Sequence, residues 1–251
     1  MHYSNLAGAF FALLLPVTTQ AAAVPSYATR SIAGVSVVDT PIVRAAQAFA
    51  QAHSADFAYK HIMRSWLFGA LIVRHNTTLQ GAVDLELQAV AALLHDLGWD
   101  RSPASPFVTP DRRFEVDGAF AARDFVLGNK ASSKAWDERR VQLLWDSIAL
   151  HTEPAISYYK ELVVATVSKG IQMDFAGPAF GVTQAEYAAV LRQFPNADLK
   201  KGVNETIIWL CQTKPASTYN NWQQEWGQYV GGYEAEAESH KLVNVLLQDL
   251  H

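Results

Sequence analysis

From Thr40 to about Gln193 the hydrophobic residues return every three or four positions, and strand-like alternation is almost absent. "TPIVRAAQAFAQAHS" opens with a capping threonine and a proline at the first helical position. "DFAYKHIMRSWLFGALIVRHN" places apolar residues at 57, 58, 62, 66, 69–70 and 73, one face of a long helix. "DLELQAVAALLHDLG" starts at a capping Asp84 and predicts an end at Gly98. "RFEVDGAFAARDFVLGN", "WDERRVQLLWDSIALHT" and "AISYYKELVVATVSKGIQM" predict three further helices, and "TQAEYAAVLRQFP" opens with a Thr-x-x-Glu capping box. The pattern predicts one all-α domain of eight or nine helices. Its one loop rich in turn residues is "GWDRSPASPFVTPDRR".

The first forty residues read differently. "LAGAFFALLLPV" (6–17) is an apolar run the length of a signal-peptide core, too short to span a bilayer comfortably. The small residues of "TTQAAAVP" follow, and cleavage after Ala21 or Ala23 fits the small-x-small rule. The "MHYSN" before the run has no Lys or Arg, which leaves an apolar helix docked on the domain as the alternative. Two sequons, Asn76-Thr77-Thr78 and Asn204-Glu205-Thr206, lean toward secretion. The expectation is a signal peptide over 1–23, a linker or extended arm over 24–40, and a mature chain starting near Val24. That chain would enter the secretory pathway with no stable membrane anchor after cleavage, a cytoplasmic location being the alternative.

Composition narrows the classes. With 251 residues, half of them hydrophobic, the chain can bury one large core. A net charge of −4 and no Lys/Arg cluster exclude a nucleic-acid footprint, so the expected partner is a small-molecule substrate. The pattern sets no oligomeric state. The single cysteine, Cys211 in "IIWLCQT", excludes an intramolecular disulfide and reads as a buried, inert thiol.

The chemistry lies in polar residues on apolar faces. "AALLHDLGWD" sets His95 and Asp96 side by side in an apolar helix, His61 lies in "YKHIMRSW", and Asp174 closes "GIQMDFAG". Burying such groups costs free energy unless something pairs with them. Imidazole and carboxylate together suit a borderline divalent ion such as zinc, iron, nickel or manganese. Adjacent helical residues point about a hundred degrees apart, so His95 and Asp96 share an ion only in a cleft beyond the helix. Around these motifs stand Trp66, Phe68, Trp99, Phe107 and Trp145, most of them core, with Trp99 the best placed to line a pocket. Lys60 and Arg64 flank His61, as phosphate clamps or as solvated helix charges.

The series His61, His95-Asp96 and a later helical Asp resembles the HD-domain superfamily of metal-dependent hydrolases. "HIMRSWLFG", "AALLHDLGW", "FEVDGAFAARDF" and "IALHTEP" are most similar to its branch of fungal cyanamide hydratases and their relatives. The similarity runs from about residue 41 to 215, with the HD domain taken over 41–251 and a C-terminal helical extension. It implies an all-helical bundle around a buried divalent transition metal, zinc or iron foremost, held by His61, His95, Asp96 and Asp174. Asp146 in "LLWDSIALHT" competes for the last place. Relatives with two metals use further histidines; this chain keeps His151 but has Phe114-Glu115 at the other position, so one metal is expected. Asp96 is then both ligand and proton acceptor, with His151 and Glu115 near the ion. Glu115 and Asp117 read equally well as an ordinary acidic first turn. The electrophile is a nitrile carbon in the cyanamide hydratases or a phosphate ester in the phosphohydrolases. A secreted protein that binds metal or ligand without turnover is the alternative.

Overall fold

The computed structural model describes residues 27–131 and 136–247. The 1–23 segment expected as a signal peptide lies outside them. The described part of the 24–40 arm is a β-hairpin, β1 (Thr29–Ile32) antiparallel to β2 (Val35–Val38), with Ile32 opposite Val35. Ala33 and Gly34 both adopt positive φ, 53° and 78°, the turn that matches the twist of a two-residue hairpin. Val35, Val37 and Val38 are buried and Ser36 is exposed, an alternation too short to stand out in the sequence.

Eleven α-helices follow among the described residues: α1 (Pro41–Ala52), α2 (Asp56–Arg74), α3 (Leu85–Leu94), α4 (Phe114–Gly128), α5 (Glu138–Ala149), α6 (Pro154–Ser157), α7 (Leu162–Ala176), α8 (Gln184–Gln193), α9 (Leu199–Thr213), α10 (Tyr233–Ser239) and α11 (Leu242–Leu247). The protein is therefore mainly helical, as expected. The segment read as one helix through "AISYYKELVV" divides into α6 and α7 around Tyr158–Glu161. Capping follows the sequence. Asp84 accepts from the Glu86 and Leu87 amides, and Thr183 with Glu186 forms the full capping box.

Helices α2 and α3 are buried almost all round, α3 without a break from Glu86 to Leu94, so they form the centre of the bundle. Helix α2 runs along α7 at close range. A Cβ on Gly170 would stand 2.7 Å from the Ser65 carbonyl oxygen, so only glycine admits that approach. Gly98 has a different role from the helix cap expected of it: α3 ends at Leu94, and a 3-10 turn spans Leu97–Trp99. A Cβ on Gly98 would lie 2.2 Å from the Phe114 carbonyl oxygen, so the glycine lets the start of α4 pack on the turn. A second, smaller core gathers Ala58, Trp99, Phe114, Ile207, Leu210, Cys211 and Tyr233 between α9 and the C-terminal segments.

Candidate metal centre

The residues predicted from "YKHIMRSW" and "AALLHDLGW" converge. Helix α2 delivers His61, and the end of α3 delivers His95 and Asp96, all three at most 1 % exposed. His61 Nε2 and His95 Nε2 are 3.3 Å apart. His95 Nε2 lies 3.1 Å and His61 Nε2 3.7 Å from Asp96 Oδ2. His151, just beyond α5, approaches from the other side, with Nε2 3.8 Å from Asp96 Oδ1.

The outer face of each ring fixes its tautomer. His95 Nδ1 donates to the Ala92 carbonyl at 2.8 Å, and His151 Nδ1 donates to Ile148 at 2.7 Å. A carbonyl only accepts, so Nδ1 carries the proton and Nε2 of the neutral ring presents a lone pair. His61 Nδ1 faces Asp174 Oδ2 at 2.6 Å in the same sense. Three Nε2 atoms thus point at Asp96, both of whose carboxylate oxygens are buried without a hydrogen-bond donor. A buried carboxylate left so costs several kcal/mol unless a cation faces it.

The His61, His95 and Asp96 donor atoms all lie within 4.8 Å of one another and could hold a metal ion. Nitrogen and oxygen ligands sit about 2.0–2.2 Å from zinc, which spaces neighbouring donors about 3.3–3.6 Å apart around a tetrahedral ion. The observed separations fall around that range. Burial pushes the Asp96 carboxyl up, but attraction to the neighbouring His95, His61 and His151 rings when these carry a proton outweighs it and holds the carboxyl below its ordinary range. Burial, then His95, pushes His151 down to about 4, so its ring is neutral at neutral pH.

Asp174 is in place but turned outward from this trio. Its Oδ1 and Oδ2 accept from Arg64 Nε and Nη2 at 2.6 and 2.7 Å, and Oδ2 also meets His61 Nδ1. In this arrangement it orients the His61 ring, a candidate metal ligand, rather than offering a free donor. Arg64 itself is fully buried and binds the Phe194 and Pro195 carbonyls with Nη1. It is neither a solvated charge nor a phosphate clamp. Lys60 pairs with Asp56 at 2.6 Å. Asp146, the competing ligand, is taken up by Lys160 and Gln142.

Glu115 and Asp117 are both fully buried, which an ordinary acidic first turn would not be. Glu115 accepts from Arg113, Thr152, Trp222 Nε1 and Gln223 Nε2, and lies outside the lining of the cavity described next. Burial pushes its carboxyl up, yet Arg113, His151 and Thr152 hold it net below the usual range, so it is a fixed anchor. Asp117 pairs with the buried Lys214 at 2.6 Å and accepts from Thr109. Sequence reasoning passed over Lys214, Trp222 and Gln223, because nothing local ties them to residues a hundred positions earlier. Cys211 is buried as expected, its thiol on the Gln223 carbonyl.

A cavity of about 390 Å³ opens onto His61, Asp96 and His151. Trp99, Phe114, Phe175, Trp222 and Trp226 provide aromatic wall, and Thr152, Gln172, Lys200 and Asn204 its polar groups. Trp66 and Phe68 are core, as expected, and Trp99 lines the cavity. Neither a known family model nor a curated protein matches the chain.

Proposed function

We propose that the protein is a metal-dependent enzyme of the HD-domain type, which adds metal-activated water to a small uncharged molecule, foremost a nitrile carbon. The observation that carries this reading is the buried Asp96 carboxylate. It has no donor of its own, faces three imidazole lone pairs, and borders a largely apolar cavity. These residues would hold zinc or iron, whose chemistry there would be to make a water acidic enough to attack near neutral pH.

The chain's own groups account for the remaining steps. His61, His95 and Asp96 would hold the ion, with Asp174 fixing the His61 ring. Asp96 Oδ1 faces His151, so the carboxylate stands between the metal donors and the base. His151 Nε2, neutral and on the cavity wall, takes a proton from the attacking water and returns it to the nitrile nitrogen. A phosphate ester would need several cationic clamps; Arg64, Lys60 and Lys214 are all paired with carboxylates, and the cavity wall carries one lysine, Lys200, on its exposed side.

The test is metal content and turnover together. Purified protein is expected to hold about one transition-metal ion per chain and to convert cyanamide or a simple nitrile to the hydrated product. His151→Ala is expected to keep the ion and lose turnover. Protein that takes up no metal under any loading condition, or that hydrolyses only phosphate esters, would refute the reading.

A further inference from the structure

The cavity is several times larger than a three-atom substrate requires; about 390 Å³ accommodates on the order of ten non-hydrogen atoms. Its aromatic wall is nearly continuous. Trp99 and Phe114 have ring centroids 5.3 Å apart, Phe114 and Trp222 6.4 Å, and Trp222 and Trp226 5.7 Å. These spacings leave edges and faces for a further ring to join.

The polar groups on the wall are mostly committed. Thr152 Oγ1 and Trp222 Nε1 donate to Glu115, and Trp226 Nε1 donates to Asn204. Trp99 Nε1 differs: it is buried and has no acceptor within the protein. A buried indole N–H left unpaired is costly, and Trp99 lines the cavity, so a ligand there that brings an acceptor to this group relieves that cost. The one cation on the wall, Lys200, is exposed at the solvent side.

We propose that the site takes an uncharged monocyclic aromatic nitrile, with the ring against the aromatic wall and the Trp99 indole N–H orienting it. This rests on the hydration reading for the reaction but on the cavity alone for the binding. In that reaction the water oxygen bonds to the nitrile carbon, the carbon–nitrogen π bonds open, and both water protons end on nitrogen to give the amide. No oxidant and no leaving group is involved.

Binding to the metal-free protein separates the two claims. Benzonitrile, acetonitrile and phenyl phosphate are titrated by isothermal calorimetry, and benzonitrile is expected to bind about ten-fold or more tighter than either of the others. Equal binding of acetonitrile, or a preference for phenyl phosphate, overturns the proposal. Trp99→Phe is expected to weaken benzonitrile several-fold while leaving toluene, which has no acceptor, unchanged; equal loss of both overturns the role of Trp99. With metal-loaded protein, tight benzonitrile binding without benzamide formation sustains the ligand class and sinks the hydration reading. Hydration of acetonitrile at no disadvantage to benzonitrile does the reverse.

Discussion

At Asp174 the geometry makes a chain of five residues: Phe194 and Pro195 carbonyls hold Arg64, Arg64 holds Asp174, and Asp174 holds His61. Removing an outer partner of a ligand histidine typically costs 10- to 100-fold in metal affinity, whereas removing a ligand costs far more. Arg64→Met and Asp174→Asn are therefore expected to weaken zinc binding about 10- to 100-fold, and Asp96→Ala to abolish it, in competition with a chromophoric chelator. Asp174→Asn as damaging as Asp96→Ala would make Asp174 a direct ligand. His151 yields a second expectation. Its folded value, about 4, lies below the ordinary 6.5, so the unfolded chain binds the extra proton first. Stability of the metal-free protein should then fall as pH drops from about 6.5 to about 4, and His151→Gln should flatten that slope in urea melts; an unchanged slope would exclude the assignment. The inner residues were legible from sequence because a His-Asp pair on an apolar helix demands compensation. Arg64 was not, since spacing alone cannot tell a buried guanidinium from a solvated one.

Among the elements, the approach of α2 to α7 decides whether His61 can meet Asp174. Gly170→Ala pushes a methyl toward the Ser65 carbonyl, and overpacking of this kind costs about 1–3 kcal/mol. The variant should melt at lower temperature and bind zinc more weakly in the same preparation; normal zinc affinity would show that the crossing does not set the site. Lys214 ties the end of α9 to Asp117 at the start of α4. Lys214→Met removes the buried partner of Asp117 and leaves it Thr109 and the half-exposed Arg112, so the expected loss in chemical denaturation is at most about 3–5 kcal/mol. Periodicity predicted most helices from α1 to α8, helped by the amphipathic stripes of α1, α2 and α5 and the side-chain caps of α3 and α8. It failed where the stripe ran through Tyr158–Glu161, and at Gly98, whose purpose is contact with a distant backbone carbonyl. The Asn204 sequon lies within α9, where Thr206 is buried and bonded to Gly202, while Asn76 is exposed in a turn.

Across the whole molecule, the candidate centre lies where the main core meets the smaller core of α9 and the 3-10 stretch Trp222–Tyr229. Zinc that binds only the folded form should stabilise it, by about 2.7 kcal/mol at a hundredfold excess over Kd, and a chelator should reverse the rise in melting temperature. No such shift would count against a bound ion. The helical class could be read from the chain at once, but the cavity could not, because its walls come from segments far apart in sequence. That separation also orders events in time. His61, His95, Asp96, His151 and Asp174 all precede Trp222 and Trp226, which Glu115 and Asn204 pin over the cavity. During synthesis these groups emerge before Trp222 and Trp226 complete the aromatic wall, so an ion that binds them could enter from open solvent and be enclosed afterwards. Once that wall has closed, exchange of the ion would pass through the cavity, whose wall the Trp222 and Gln223 bonds to Glu115 hold in place.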